Sequence, residues 1–284
     1  MATPLSTVGL QVWRGALLLA DYLFAMAATW AGCTALELGS GPGLAGLALA
    51  SSLGAAPARV FLTDSALAGG KVLQQLATNL EANADRLGCP VAVRELDWQL
   101  PPAWLLSSES SPATQLASVV ATTSAACAAQ TGLKDQQQQF SWRVEDVQQL
   151  QCLDVILAAD CVYSDELTDA LMKTAVLLMR QGHAASGRSP VLLVALEKRI
   201  CFTLDDLDVR APAYDHWRKL FTPAETATDK AEAVAAAEPM AAGRPAPPFL
   251  LVGRRLDTAI LPQRVAEYER TKELELWELR LASD

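Results

Sequence analysis

At 284 residues, with 51% of them hydrophobic, the chain has the material for one large α/β domain whose core needs neither disulfides nor metal. Its 32 Asp and Glu against 23 Lys and Arg leave a net charge of −9 and a pI near 4.8, which repels nucleic acid phosphates and suits a basic protein partner. The 6 cysteines form no C-x-x-C pair, which argues against a zinc site and a secreted disulfide framework and implies a reducing compartment, nucleus or cytoplasm.

Residues 8–31 carry Leu10, Trp13, Leu17, Ala20, Phe24 and Ala27 at helical intervals and predict a long first helix that covers the sheet. The apolar run 15–36 has the look of a signal peptide or a membrane span, but Asp21 interrupts it. A spanning helix needs roughly twenty apolar residues without charge, so a buried helix is expected and no membrane contact.

Residues 33–38 form a short apolar strand that ends with Glu37 where the chain must leave the sheet. Gly39, Gly41 and Gly43 then offer three positions without a Cβ, so the backbone can turn tightly and let a ligand approach its amides. The Ala/Leu-rich residues 44–53 start a helix whose N-terminal N–H groups point into that loop and favour an anionic or zwitterionic ligand. A second strand, Val60-Phe61-Leu62-Thr63, places Asp64 at its end to accept hydrogen bonds from a ribose diol.

Loop and acid together point to an adenosine-containing cofactor. The spacing Gly41-x-Gly43-x-x-Gly46 matches the dinucleotide fingerprint, so the loop alone admits NAD. Glu37 favours S-adenosylmethionine, because a carboxylate there faces the amino group of its methionine and would repel a pyrophosphate. A glycine turn that binds nothing is the plainer alternative, and the interval to Asp64 speaks against it.

Further along, residues 70–87 predict an amphipathic helix stopped at Gly88, and residues 91–96 a strand. Asp97-Trp98 follow at the strand end, where Trp98 either stacks on adenine or covers the core. A Ser/Ala/Thr/Gln-rich insertion over about 107–141 is expected to be mobile. Residues 153–159 resume a buried strand that delivers Ala159-Asp160-Cys161-Val162-Tyr163. A helix over 167–179, a strand over 191–196 ending in Glu197-Lys198-Arg199, and a charged amphipathic helix over 204–221 follow. The Ala/Pro/Glu-rich stretch 222–248 reads as a flexible crossover, and residues 249–256 and 274–281 as a closing hairpin at one sheet edge. Tyr268 and Lys272 have dehydrogenase spacing but read as a surface pair, and His183 and His216 lack ligand spacing.

Alternating strands and helices imply a single Rossmann-like α/β domain over 1–284. Its seven-stranded sheet is parallel with right-handed crossovers, except for an antiparallel last strand, and the two low-complexity stretches are insertions.

Val8-Gly9-Leu10-Gln11-Val12-Trp13-Arg14-Gly15-Ala16, Leu36-Glu37-Leu38-Gly39-Ser40-Gly41, Asp97-Trp98 and Ala159-Asp160-Cys161-Val162-Tyr163 together resemble the family-16 protein-lysine methyltransferases. The glycine loop is shared by many methyltransferases, whereas the tryptophan-bearing N-terminal segment with the Asp-x-x-Tyr turn is far more specific. The resemblance implies a class I S-adenosylmethionine-dependent fold with an N-terminal helix and a C-terminal β-hairpin. It implies that Trp13, Glu37, Gly39, Gly41, Asp64, Trp98 and Ala159 line the cofactor. The implied partner is a protein substrate with a reactive lysine, a nucleic acid-binding protein being one such substrate; direct nucleic acid binding is not expected, and a monomer is.

A lysine of ordinary pKa costs roughly 4 to 5 kcal/mol to deprotonate at pH 7, which desolvation and positioning must offset. Asp160 is expected to orient the incoming amine and Tyr163 to wall its channel; the plainer role for Asp160 is a helix N-cap. Three other readings compete. A nucleic acid methyltransferase has a similar Asp-Pro-Pro-Tyr turn, but Cys161 and Val162 replace the prolines. A scaffold could grip cofactor and partner without turnover, and a dehydrogenase would answer to nicotinamide.

Overall fold

The apolar runs that the chain breaks with glycine or acid become the strands of one sheet. The computed structural model describes residues 9–51, 55–106, 139–203, 208–224 and 249–282. The centre is β1 (Thr34–Leu38), buried at all five positions. It pairs in parallel with β2 (Arg59–Asp64) on one side and β4 (Leu153–Ala159) on the other, with Leu36 level with Phe61 and Ile156. Outward from these lie β3 (Val91–Glu95) and β5 (Val191–Glu197), both parallel.

Beyond β5 the direction reverses. β10 (Leu274–Leu281) runs antiparallel to β5 and to β9 (Leu251–Leu256), so the last strand inserts between its hairpin partner and the older sheet. Two residues, β8 (Thr222–Pro223), add a parallel edge to β9. The order β3-β2-β1-β4-β5-β10-β9-β8 is thus the expected seven strands plus a short edge, in the class I methyltransferase arrangement. The antiparallel last strand is as expected; the hairpin's outer strand is not quite the sheet edge.

Side chains alternate across these strands and give each face its own core. One face packs Leu36, Phe61, Ile156 and Val194 against α6 (Asp165–Ser186), α5 (Val144–Leu150), α4 (Ala103–Leu106) and α7 (Pro212–Trp217). The other packs Ala35, Val60, Val155 and Leu193 against α1 (Arg14–Ala25), α2 (Leu44–Ala50) and α3 (Lys71–Ala82). Glu37 shares the α2 side with Ala35, two residues before it.

Several boundaries differ from the sequence reading. α1 is 12 residues long, not the full 8–31, and a 3₁₀ turn at Ala27–Trp30 follows it. Its buried positions are Gly15, Leu18, Leu19, Ala20, Asp21 and Leu23, so of the stripe expected through Leu10, Trp13, Leu17, Ala20, Phe24 and Ala27 only Ala20 is fully buried, and Leu10 is exposed. No helix among the described residues is long and apolar enough to cross a membrane. The charge that interrupts the apolar run is a buried hub: Asp21 pairs with Arg270 at 2.7 Å and accepts from Tyr268 Oη at 2.9 Å and from the Arg264 N–H at 2.7 Å. These contacts bind the β9–β10 connection to α1. Tyr268 is therefore committed to Asp21, and the surface pair expected with Lys272 does not form; Lys272 instead lies 3.9 Å from Glu273.

α3 ends at Asn83 and is followed by a separate turn at Ala84–Arg86, so Gly88 does not stop it; the Gly88 N–H donates to Ala50 O. Among the described residues 208–221, the expected helix over 204–221 is shortened to six residues. β6 (Cys201–Thr203), just before that range, pairs antiparallel with β7 (Asp208–Arg210), and α7 is the helical part of the described residues. Pro212 sets that start, because it fits the first turn of a helix and disfavours helical angles at Ala211.

Most of the insertion expected at 107–141 and nearly all of the crossover at 222–248 lie outside the described residues. The chain has rejoined the fold by Phe140, which is buried and whose carbonyl accepts from the Glu95 N–H at 2.8 Å. α5, which sequence reading missed, follows at once; Asp146 takes the Arg143 N–H at its start and pairs with Arg94 at 2.6 Å.

Candidate functional site

The carboxyl ends of β1, β2 and β4 meet where the strand order turns back on itself, the place where open α/β sheets bind ligands. The glycine loop leaves β1 here. Gly39, Gly41 and Gly43 have φ of 63°, 51° and 87°, left-handed values that side chains with a Cβ rarely adopt. A Cβ on Gly39 would stand 2.8 Å from Cys161 Sγ and 2.9 Å from Trp98 Cζ2, so the loop also needs glycine for space. Gly43 is the N-cap of α2.

Asp64 fixes this loop from the neighbouring strand. Its Oδ2 accepts the Gly41 N–H at 2.9 Å and its Oδ1 the Ser65 N–H at 2.8 Å. Each oxygen retains a second lone pair, so a diol can still be received. Burial raises the Asp64 pKa, and the two N–H donors offset part of that rise.

Glu37 lies deeper. Only 2% exposed, it accepts the Gly46 N–H of α2 at 3.0 Å through Oε2. Burial pushes its carboxyl pKa up to about 8, against the opposing bonds from Gly46 and Ser40. The groups that oppose the rise are hydrogen-bond donors rather than cations. The carboxyl group thus pairs with no cation among the described residues and lines an open cavity. Gly46 must stay small, because a Cβ there would collide with Leu62 Cδ2 and stand 2.7 Å from Glu37 Oε2. Gly46→Ala is expected to cost about 1–3 kcal/mol in chemical denaturation and to weaken ligand binding, through overpacking and displacement of the acid.

At the other side of the cavity Asp160 adopts φ 53°, and it is the single described non-glycine residue with positive φ. Its Oδ2 accepts the Gly15 N–H at 2.5 Å and its Oδ1 the Glu197 N–H at 2.8 Å, while its own N–H donates to Ala195 O at 2.8 Å. One side chain therefore joins the start of α1 to the ends of β4 and β5. It does not cap α6, whose N-cap is Ser164; it occupies the N-terminal turn of α1 instead, where the helix dipole favours an anion. Burial raises its pKa, and the two N–H donors and Arg199 act against that rise. Tyr163 is half-buried, and burial likewise raises its hydroxyl pKa. The Arg199 guanidinium lies 4.9 Å from the centre of the Trp13 ring and 5.4 Å from that of Tyr163.

All nine residues singled out from sequence converge on one cavity of about 340 Å³. Glu37, Gly39, Gly41 and Asp64 form the loop side. Trp98 borders it while also packing against the core, which is the core-covering role expected of it, and its indole N–H is buried without a partner among the described residues. Trp13, Ala159, Asp160 and Tyr163 line the opposite side. Sequence reasoning missed Gln11, Cys161 and Arg199 as lining residues. Gln11 and Cys161 had a local signal, since they lie inside the motifs used; Arg199 only ends the charged triplet Glu197-Lys198-Arg199, whose spacing does not point to this cavity. His216 lies apart from this cavity, paired with Asp169 at 2.7 Å.

The comparisons with known proteins follow the same residues. A profile described as "Lysine methyltransferase" matches residues 3–110 and 114–204. Human methyltransferase-like protein 22 is 37% identical over 285 aligned residues, covering 98% of this chain and 55% of that protein. The mouse protein of the same name is 34% identical over 98% of this chain and 57% of its own length, so the chain spans little more than half of these curated relatives. Mouse protein N-lysine methyltransferase METTL21A is 41% identical over 92 residues, 32% of this chain and 38% of that protein. On the extent of the profile match and these identities, the chain belongs to the lysine methyltransferase family.

Proposed function

We propose that this protein is an S-adenosylmethionine-dependent protein-lysine N-methyltransferase. The observation that carries the reading is the buried Glu37 carboxyl group, paired with no cation among the described residues, in the same cavity as the Asp64-pinned glycine loop. A ligand with an ammonium group, a ribose and an adenine fits that set: Glu37 for the ammonium, Asp64 for the diol, Trp98 for the ring or its unpartnered indole N–H for a ring acceptor. NAD would instead bring a pyrophosphate towards Glu37.

When bound, S-adenosylmethionine supplies an electrophilic sulfonium methyl group. The chain's own task is to deliver a neutral amine. Asp160, held rigidly by two backbone N–H groups, offers its remaining lone pairs to the amine and draws the leaving proton. Tyr163 and Trp13 bound the approach and keep water from it. Removing water from a lysine side chain lowers its pKa, which reduces the cost of the neutral nucleophile.

The net charge of −9 supports a basic protein as substrate, and nucleic acid-binding proteins are rich in such lysines. Five free cysteines among the described residues are consistent with the nucleus or cytoplasm. The test is methyl transfer from methyl-labelled S-adenosylmethionine to a panel of basic and acidic proteins, followed by amino acid analysis. Label recovered as N-methyl-lysine supports the reading; label confined to RNA or DNA, or to no acceptor at all, sinks it.

A further inference from the structure

Arg199 is placed oddly for a surface cation. It is exposed, it follows β5 directly, and it lines the cavity rather than reaching away from an acidic chain into solvent. Its guanidinium carbon faces two aromatic rings from two elements far apart in sequence, Trp13 ahead of α1 and Tyr163 after β4. Asp160, joined by hydrogen bonds to the start of α1 and the end of β5, adds a carboxylate on the same side. Two aromatic faces and an acid are the groups that recognise an alkylammonium or methylammonium ion, through ring quadrupole and charge together.

We infer that Trp13, Tyr163 and Asp160 form the slot for the substrate's lysine ammonium, and that Arg199 occupies this slot as a self-supplied cation until a lysine displaces it. The inference rests on the methyltransferase reading and adds a specificity-determining residue to it. An entering group must outcompete a guanidinium already in contact with both rings. Neutral side chains lack the charge that the ring faces and the acid attract and compete less well; a cationic side chain gains what Arg199 gives up, and Asp160 then draws its proton before transfer. Arg Cζ and Lys Nζ are each five bonds from Cα, so a lysine at position 199 would carry its charge to the place where the guanidinium carbon stands.

The experiment is a saturation-transfer NMR titration with tetramethylammonium chloride. Ionic strength is held constant with sodium chloride, and S-adenosylhomocysteine is present so that the probe cannot reach Glu37. Thermal stabilisation by S-adenosylhomocysteine is measured separately for each variant. If the wild type shows none, the cofactor reading fails and this inference falls with it. Where it is present, Arg199→Ala is expected to bind the probe about tenfold more tightly than wild type, the scale of one good cation–π contact. Arg199→Lys, which keeps a competing cation in place, should stay within about twofold of wild type. Adding Trp13→Leu to Arg199→Ala should abolish the gain. Equal affinity of wild type and Arg199→Ala, or a gain that survives loss of Trp13, overturns the assignment while leaving the methyltransferase reading intact.

Discussion

Glu37→Gln is expected to make the ligand-free protein more stable and to abolish high-affinity binding of S-adenosylmethionine. Both effects arise from one buried carboxyl. In the folded protein Glu37 titrates near 8, against an ordinary 4.5, because burial disfavours its charge. The folded state therefore holds a proton that the unfolded chain has released. The stability that goes with this proton is complete below about pH 4.5 and is lost as pH rises through 8. At pH 7 the loss amounts to about 3 kcal/mol, which for a domain of this size corresponds to roughly 5–10 °C in melting temperature.

Glutamine stays neutral and can still accept the Gly46 N–H. The variant should melt higher than wild type at pH 7 and lose the difference near pH 4. Binding should move the other way, since removing one partner of a buried charge pair costs about 3–5 kcal/mol, or at least a hundredfold in affinity. The same titration gives the wild type a binding signature. Below pH 8 the ligand's ammonium must expel the Glu37 proton, so affinity should rise up to tenfold per pH unit between pH 6 and 8, and calorimetry should show proton release. A pH-independent affinity with no proton release would mean that Glu37 does not meet a cation.

Asp160→Asn should lower methyl transfer by about a hundredfold or more at saturating cofactor, the scale of a lost acid–base group. It should also destabilise the fold. Asparagine has one acceptor oxygen for two N–H donors, those of Gly15 and Glu197, and turns an NH₂ towards the other. One buried N–H left unpaired costs about 1–3 kcal/mol. Asparagine tolerates the left-handed φ of 53°, so backbone strain does not contribute. Asp160→Ala loses both acceptors and adds that strain, and should be the less stable of the two. Urea denaturation ranks the variants, and transfer assayed below the unfolding range separates chemistry from folding. If Asp160→Asn unfolds more easily yet turns over at the wild-type rate, Asp160 is a clasp between α1, β4 and β5 and nothing more.

The two roles of Asp160 show what a sequence can and cannot carry. That an acid at the end of a buried strand belongs to a site was legible, as were β1, β4, β5 and β10, because apolar runs bounded by glycine or charge admit few other readings. The glycine loop and Asp64 were legible for the same local reason. What escaped was set by contacts across the chain. The start of α1 at Arg14 coincides with a carboxylate 145 residues away in sequence, which receives the Gly15 N–H. Asp21 looked like an interruption of an apolar run and is a hub for the distant β9–β10 connection. The first helix was drawn too long because its apolar residues continue into a 3₁₀ turn whose end no periodicity marks.

Other misses were readable. Pro212 lies inside the helix drawn over 204–221, and its missing N–H and its effect on Ala211 mark the true start. α5 has Val144, Val147 and Leu150 on one face, but it lies between the insertion at 107–141 and the strand at 153–159, and its seven residues are too few for the period to stand out. Arg199 needed the structure, since no spacing in the chain brings residues 13, 163 and 199 together.

The central claim is that this cavity holds S-adenosylmethionine, and thermal stability of the purified protein with S-adenosylmethionine, S-adenosylhomocysteine, NAD or no ligand tests it most directly. A ligand at a hundred times its dissociation constant adds about 2.7 kcal/mol. The account predicts that the two adenosyl sulfur compounds raise the melting temperature, that NAD does not, and that Asp64→Ala loses the rise because both the glycine loop and the ribose lose their acceptor. Stabilisation by NAD alone, or by none of the three, would contradict it.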